Sequence, residues 1–255
     1  MNAYKKILIV GSGNVAYHFV HRLNQLNYSV GVLSRNQDTG EKLAQKLDLI
    51  FYSNWEEISP NSFDLIIVCV SDGQINYVLE KAPTTIDVII TSGATSLSQF
   101  NRKRTGVLYP LQTFSKERTL NFETIPLFIE ANEGSFKEKV VELANNMSTQ
   151  VFFADTTMRN HLHLAGVLVN NFTNHLYHLA DKHLASKNIP FEYLLPLIEE
   201  TINKVKEIPP KSAQTGPAVR GDESTIEKHL SISDETLREL YLFLTSSIKK
   251  EHHAE

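Results

Sequence analysis

His161, His163, Asn170, Asn171, Asn174, His175 and His178 recur within one apolar stretch of the chain. At helical spacing Asn171, Asn174, His175 and His178 fall on neighbouring positions of one face, and His163 lies two turns before Asn171 on roughly the same side. An imidazole there can protonate a nascent alkoxide or amine near neutral pH, which makes His163 and Asn171 catalytic candidates. The plainer role of His163 is a capping or interdomain hydrogen bond. No carboxylate or cysteine completes a familiar metal-ligand spacing with these histidines, so no metal site is expected. A second cluster, Tyr109-Pro110-Leu111-Gln112-Thr113-Phe114-Ser115, gathers hydrogen-bonding groups just after an apolar run. Its proline is either cis or a fixer of the turn. Gln112 is a candidate to orient a carbonyl or imine in the reaction and Thr113 to bind the substrate; a rigid linker is the alternative. A third cluster, Lys211 to Asp222, interrupts a helical pattern with small and turn-forming residues. Lys211, Gln214 and Arg220 suit an anionic substrate there, Arg220 as a fork for a carboxylate. An ion pair of Arg220 with Asp222, or one across a subunit boundary, is the competing role.

Proton donation to a carbonyl or imine needs a matching hydride, and the start of the chain predicts its source. Gly11-Ser12-Gly13-Asn14-Val15-Ala16 follows the apolar run Ile7-Leu8-Ile9-Val10 and precedes an amphipathic stretch. This strand, glycine turn and helix have the spacing of a dinucleotide-binding fingerprint. Gly11 permits the tight turn, Gly13 lets backbone approach a pyrophosphate, and Ala16 keeps the helix close to the sheet. The helix opening at Asn14 and Val15 aims unpaired N–H groups at the phosphates. The alternative is an ordinary glycine turn between strand and helix. A second strand, Tyr28 to Leu33, ends in Ser34-Arg35-Asn36 where a carboxylate would hold the ribose hydroxyls of NAD. A hydroxyl and a guanidinium favour a 2′-phosphate instead, so NADP(H) is the expected cofactor. A solvated Arg35 is the competing reading. Asp38 is expected to cap a helix over Thr39–Leu47.

The remaining elements must place these groups together. Up to Asp155 short apolar runs alternate with amphipathic stretches, the pattern of a mostly parallel sheet covered on both faces. Strands are expected at 49–52, 64–70, 87–91, 106–109, 126–130 and 151–153, and helices at 74–81, 135–146 and from Trp55. Ligands gather at the carboxyl ends of such strands. That rule assigns Val70, Ser71, Asp72, Ser92 and Gly93 to the ribose and nicotinamide, with capping or turn-making as their alternative. From Thr156 the pattern is helical: 158–187, 191–208, a segment from Asp222, and 234–250, broken by Pro209-Pro210 and Gly216-Pro217. The expected architecture is α/β, a Rossmann-like NAD(P)-binding domain over 1–155 followed by an all-helical domain over 156–255.

Composition narrows the function. A net charge of −4 with no long basic run excludes a general nucleic-acid binder. No stretch approaches membrane-spanning length, and the few aliphatics after Lys6 are too short for a signal peptide. The lone Cys69, inside an apolar run, reads as a packing residue in a protein of the reducing cytoplasm.

Taken together, GSGNVA, YPLQTFS, HLAGVLVNNFTNHL and QTGPAVRGD resemble a bacterial Rossmann-like family whose C-terminal domain has unknown function and which is often labelled a deazaflavin-linked NADP oxidoreductase. More distantly the layout is similar to pyrroline-5-carboxylate reductase, ketopantoate reductase and the 6-phosphogluconate dehydrogenase-like enzymes. The resemblance implies hydride transfer and a homodimer formed through the helical domain. One departure stands out. Two of those branches use a lysine one turn before an asparagine on the first long helix, and here Gly166 and Val167 precede Asn170 and Asn171 at that interval. The reading is an NADP(H)-dependent oxidoreductase of a small, anionic carbonyl or imine substrate; the alternative is a non-catalytic NADP(H)-binding regulatory module.

Overall fold

The structure, a computed structural model, describes residues 3–59, 61–131 and 134–253. Met1 and Asn2, part of the lead-in considered for a signal peptide, lie outside those residues. The chain divides into two compact units, Met1–Asn171 and Phe172–Glu255.

The first unit is built on an eight-stranded sheet: β1 (Lys6–Val10), β2 (Ser29–Leu33), β3 (Ile50–Tyr52), β4 (Leu65–Val68), β5 (Asp87–Ile90), β6 (Thr105–Pro110), β7 (Leu127–Ala131) and β8 (Val151–Phe153). Its order is β3-β2-β1-β4-β5-β6-β7-β8, parallel throughout except between β6 and β7. β4 and β5 are buried at every position, as their unbroken apolar sequence requires of strands covered on both faces. Helices α1 (Asn14–Gln25), α2 (Gln37–Gln45), α3 (Asp72–Lys81) and α4 (Ser135–Met147) provide the cover.

Period-two alternation sorts the sheet into two cores. Ile7 and Ile9 pack with Ala16, Phe19, Val20 and Leu23 of α1 and Val140, Leu143 and Met147 of α4. Leu8, Val10, Ile66 and Val68 face the other way, with Ile75, Val78 and Leu79 of α3. Each fully buried Leu, Ile or Phe contributes about 1.5–3 kcal/mol relative to exposure. The alternating strands thus fix the register that brings the ends of β1, β2 and β4 together.

Several local expectations change. Asn36, not Asp38, caps α2: its side chain accepts from Thr39 N at 3.1 Å, and the helix opens at Gln37. Asp38 instead pairs with Lys42 one turn on. The segment from Trp55 makes only a single 3₁₀ turn, Trp55–Glu57. Pro110 is trans, there being no cis peptide among the described residues, and it closes β6.

The switch from strands to helices falls where the sequence marks it: Asp155 caps α5 (Thr156–Gly166), accepting from Met158 N at 2.7 Å. α5 belongs to the first compact unit, whose limit lies further along at Asn171. A π segment, Val167–Phe172, follows α5, and the units divide within it.

The second unit contains α6 (Thr173–Ala185), α7 (Leu195–Glu207), the single turns α8 (Pro210–Ala213) and α9 (Pro217–Arg220), α10 (Glu223–Ile232) and α11 (Glu235–His253). α9 packs against α10 and α11, and α8 against α7. Tyr193, Leu197, Ile232 and Phe243 are exposed large apolar side chains of this unit. No helix among the described residues is long and apolar enough to cross a membrane.

Candidate active site

The glycine turn after β1 shows two different demands for glycine. Gly11 N donates to Leu33 O at 2.8 Å, and the residue adopts φ +123°. A Cβ there would stand 2.3 Å from Cys69 O, so the turn excludes any side chain. Gly13 is extended and its Cβ would meet nothing within 4 Å; what it preserves is open space. That space is the entrance to α1, which begins with no side-chain cap and no acidic residue in its first turn. Free N–H groups and the positive end of the helix dipole therefore face an open cradle, the arrangement a phosphate needs.

The cradle opens into a cavity of about 720 Å³. Gly11, Ser12, Gly13, Ser34, Arg35, Val70 and Ser71 line it, as do Trp55, Tyr77 and the carboxylate-bearing Glu56. Ser12 Oγ lies 2.8 Å from Ser34 Oγ and 2.6 Å from Thr39 Oγ1, a chain of hydroxyls that ties the glycine turn to the start of α2. The Arg35 guanidinium sits 5.7 Å from the centre of the Tyr77 ring and makes no ion pair among the described residues. Cys69 also borders the cavity, and burial pushes its thiol up to about 12. It stays a protonated packing residue.

Several residues assigned to the cofactor, Ser71 of the cavity lining among them, have local surroundings of their own. Asn14 turns its side chain to Phe114 O at 2.9 Å, Val15 packs on the core, and Asp72 is exposed in the first turn of α3. Ser71 precedes α3 without making a side-chain cap bond. Ser92 Oγ accepts from Ala94 N and Thr95 N, the turn-making role. Gly93 lets the Tyr109 ring approach, since a Cβ would stand 2.7 Å from that ring.

A smaller cavity of about 220 Å³ gathers His163, Gln112, Thr113 and Asn171, together with Tyr109, Leu111 and Asn170. Tyr109 Oη is 3.2 Å from His163 Nδ1. The wider turn of the π segment helps bring Asn170 and Asn171 to the cavity that His163 lines a turn or two earlier. Burial raises the Tyr109 phenol above its ordinary value, and the positive charge of Arg159 opposes that shift.

Arg159, absent from the sequence-based candidates, is fully buried. Its guanidinium donates to the carbonyls of Ser92, Gly93 and Thr95 at 3.0–3.2 Å and pairs with Glu130. It clamps the loop after β5 to α5 and β7. The signal for it was a lone cation in the first turn of α5, close behind the Asp155 cap. Tyr109 was visible as the first letter of YPLQTFS, but its partner lay beyond sequence reasoning.

Lys211, Gln214 and Arg220 belong to the second unit. Lys211 is exposed in α8, and Gln214 Nε2 donates to Thr215 O at 3.1 Å. Arg220 Nη2 lies 3.9 Å from Asp222, the ion-pair alternative. Asp222 also caps α10 through Thr225 N at 3.1 Å. No group of three or more His, Cys, Asp or Glu among the described residues is arranged to hold a metal ion.

Residues 5–89 match the model of an oxidoreductase family with an NAD-binding Rossmann fold, and residues 125–248 match a domain of unknown function (DUF2520). The putative NADP oxidoreductase BF3122 from Bacteroides fragilis is 36% identical, with 96% of this chain and 98% of that one covered at a TM-score of 0.90. This chain belongs to the same family. Protein TM1727 from Thermotoga maritima is 21% identical (97% and 98% covered, TM-score 0.71). An imine reductase from Myxococcus stipitatus, solved with NADP+, is 15% identical (98% and 94% covered, TM-score 0.67). Those two likenesses show the fold alone. None of the curated proteins compared with the chain matches it. The chain is thus an oxidoreductase-type protein with an NAD(P)-binding fold.

Proposed function

We propose that the protein is an NADP(H)-dependent oxidoreductase acting on a small carbonyl or imine substrate. The observation that carries this reading is the open cradle at Gly13, faced by the uncapped start of α1. Gly11, Ser12 and Gly13 would hold the pyrophosphate, with the backbone of Asn14 and Val15 behind them, and Arg35 the 2′-phosphate. That Arg35 makes no ion pair among the described residues supports that role. The names of the Bacteroides fragilis relative and of the Myxococcus stipitatus complex point to the same cofactor.

When bound, the cofactor supplies the hydride. This chain's residues do the rest: Gln112, Thr113 and Asn171 orient the acceptor, while His163, in contact with Tyr109, delivers the proton to the nascent alkoxide or amine. Lys211, Gln214 and Arg220 carry the chemistry suited to an anionic group on the substrate. The exposed apolar side chains of the second unit suit a homodimer, and a single buried cysteine suits a reducing cytoplasm.

Titration calorimetry with NADPH and NADH side by side tests this reading. Preferential binding of NADPH, followed by its oxidation with a cyclic imine or oxoacid, is the expected result. Failure to bind either dinucleotide overturns it. Tight binding without turnover across a broad panel would instead favour a regulatory NADP(H)-binding module.

A further inference from the structure

The loop that carries Gln112 and Thr113 continues across the face of α1. Asn14 Nδ2 donates to Phe114 O at 2.9 Å, and His18 Nε2 lies 2.9 Å from Ser115 O. Asn14 and His18 are one helical turn apart, so they hold consecutive carbonyls of the loop. The Phe114 ring lies 5.0 Å from the His18 ring and stacks on Phe122 at 6.4 Å. The backbone at 114–115 is therefore held, and the next side chain reaches back over the glycine turn: Lys116 Nζ donates to Ser12 O at 2.8 Å.

The position of this ammonium is electrostatically odd. Lys116 is half-buried and makes no ion pair among the described residues. It stands beside the start of α1, where free N–H groups already concentrate positive charge and no acidic side chain offsets it. A cation placed against a helix N-terminus is unfavourable unless an anion joins them. The Ser12 carbonyl takes only one of the three ammonium donors.

We propose that Lys116 is a phosphate-binding residue of the dinucleotide cradle, delivered by the same loop that carries Gln112 and Thr113. This rests on the reading of the cradle given above. The ligand chemistry is the pyrophosphate common to NADPH and NADH, whereas the 2′-phosphate falls to Arg35.

The test uses the full chain, titrated with NADPH and with NADH at several salt concentrations. Lys116→Met is expected to weaken both dinucleotides by a similar factor of about ten, with a flatter salt dependence. Lys116→Arg restores most of the loss, and the melting temperature without nucleotide stays at the wild-type value. Wild-type binding by Lys116→Met overturns the proposal, as does a loss confined to NADPH. Should Lys116→Met melt early, the wild-type chain still decides: saturating NADH must slow tryptic cleavage after Lys116, and an unchanged rate overturns the proposal. A wild-type protein that binds neither dinucleotide is a separate outcome, and it removes the cradle reading itself.

Discussion

Tyr109 Oη and His163 Nδ1 lie 3.2 Å apart, joining the end of β6 to α5 through a contact that carries a proton. Neither residue reaches this geometry unaided. Gly93 leaves the room that the Tyr109 ring fills, and Arg159 holds the Gly93 carbonyl from α5. Burial raises the phenol, with Arg159 opposing, so Tyr109 stays protonated through neutral and mildly alkaline pH. An imidazolium at His163 would donate through Nδ1 to the Tyr109 oxygen and keep its Nε2 proton for the acceptor.

His163→Ala is expected to lower turnover by about 10²–10⁴-fold while leaving NADPH affinity within a factor of about two. Tyr109→Phe should lower turnover less and also spare the affinity. Because burial raises the Tyr109 phenol above its ordinary value, no loss of activity at neutral or mildly alkaline pH should trace to its ionisation. Steady-state rates against pH with an active imine or oxoacid check both variants. Unchanged turnover in His163→Ala removes that residue from the mechanism.

Arg35 separates the two dinucleotides. Arg35→Glu places a carboxylate where the 2′-phosphate would sit, and should weaken NADPH by about 10–100-fold while NADH changes little. Parallel titrations read the difference directly. Equal losses for both cofactors would show that Arg35 does not meet the 2′-phosphate.

Gly11 and Gly13 should fail in opposite ways. Gly11→Ala forces a Cβ to 2.3 Å from Cys69 O at φ +123°, at a cost of about 1–3 kcal/mol or more, and should depress the melting temperature. Gly13→Ala meets no atom within 4 Å, so the fold should melt as before while dinucleotide binding is lost. Thermal melts with and without NADPH distinguish the two. A Gly13→Ala protein that still binds normally would mean that the cradle is not where the pyrophosphate lies.

Much of this was legible in the chain because it is written locally. The alternation of Ile7-Leu8-Ile9-Val10 states which face each side chain takes, and the glycines after it state the turn. Capping was less legible, since Asn36 and Asp38 are both good capping residues and only backbone geometry chooses Asn36. The contacts of Arg159 with Ser92, of Lys116 with Ser12 and of Tyr109 with His163 span 67, 104 and 54 residues. No spacing rule reports such pairs, because the register of the whole sheet creates them.

Arg159 ties the loop after β5 to α5 and β7, next to Tyr109. Arg159→Met keeps much of the volume but strips partners from the carbonyls of Ser92, Gly93 and Thr95 and from the Glu130 carboxylate. Removing one side of a buried ion pair costs about 3–5 kcal/mol. At roughly 2–4 °C per kcal/mol for chains of this size, the melting temperature should fall by on the order of 10 °C. Glu130→Met together with Arg159→Met removes both charges, and should recover part of that loss because no buried charge is left unpaired. The double variant still lacks the guanidinium that fixes Gly93 against Tyr109, so its turnover should stay low after its stability returns. Full recovery of both quantities would reduce Arg159 to an ordinary ion-pair partner and deny it a part in positioning Tyr109.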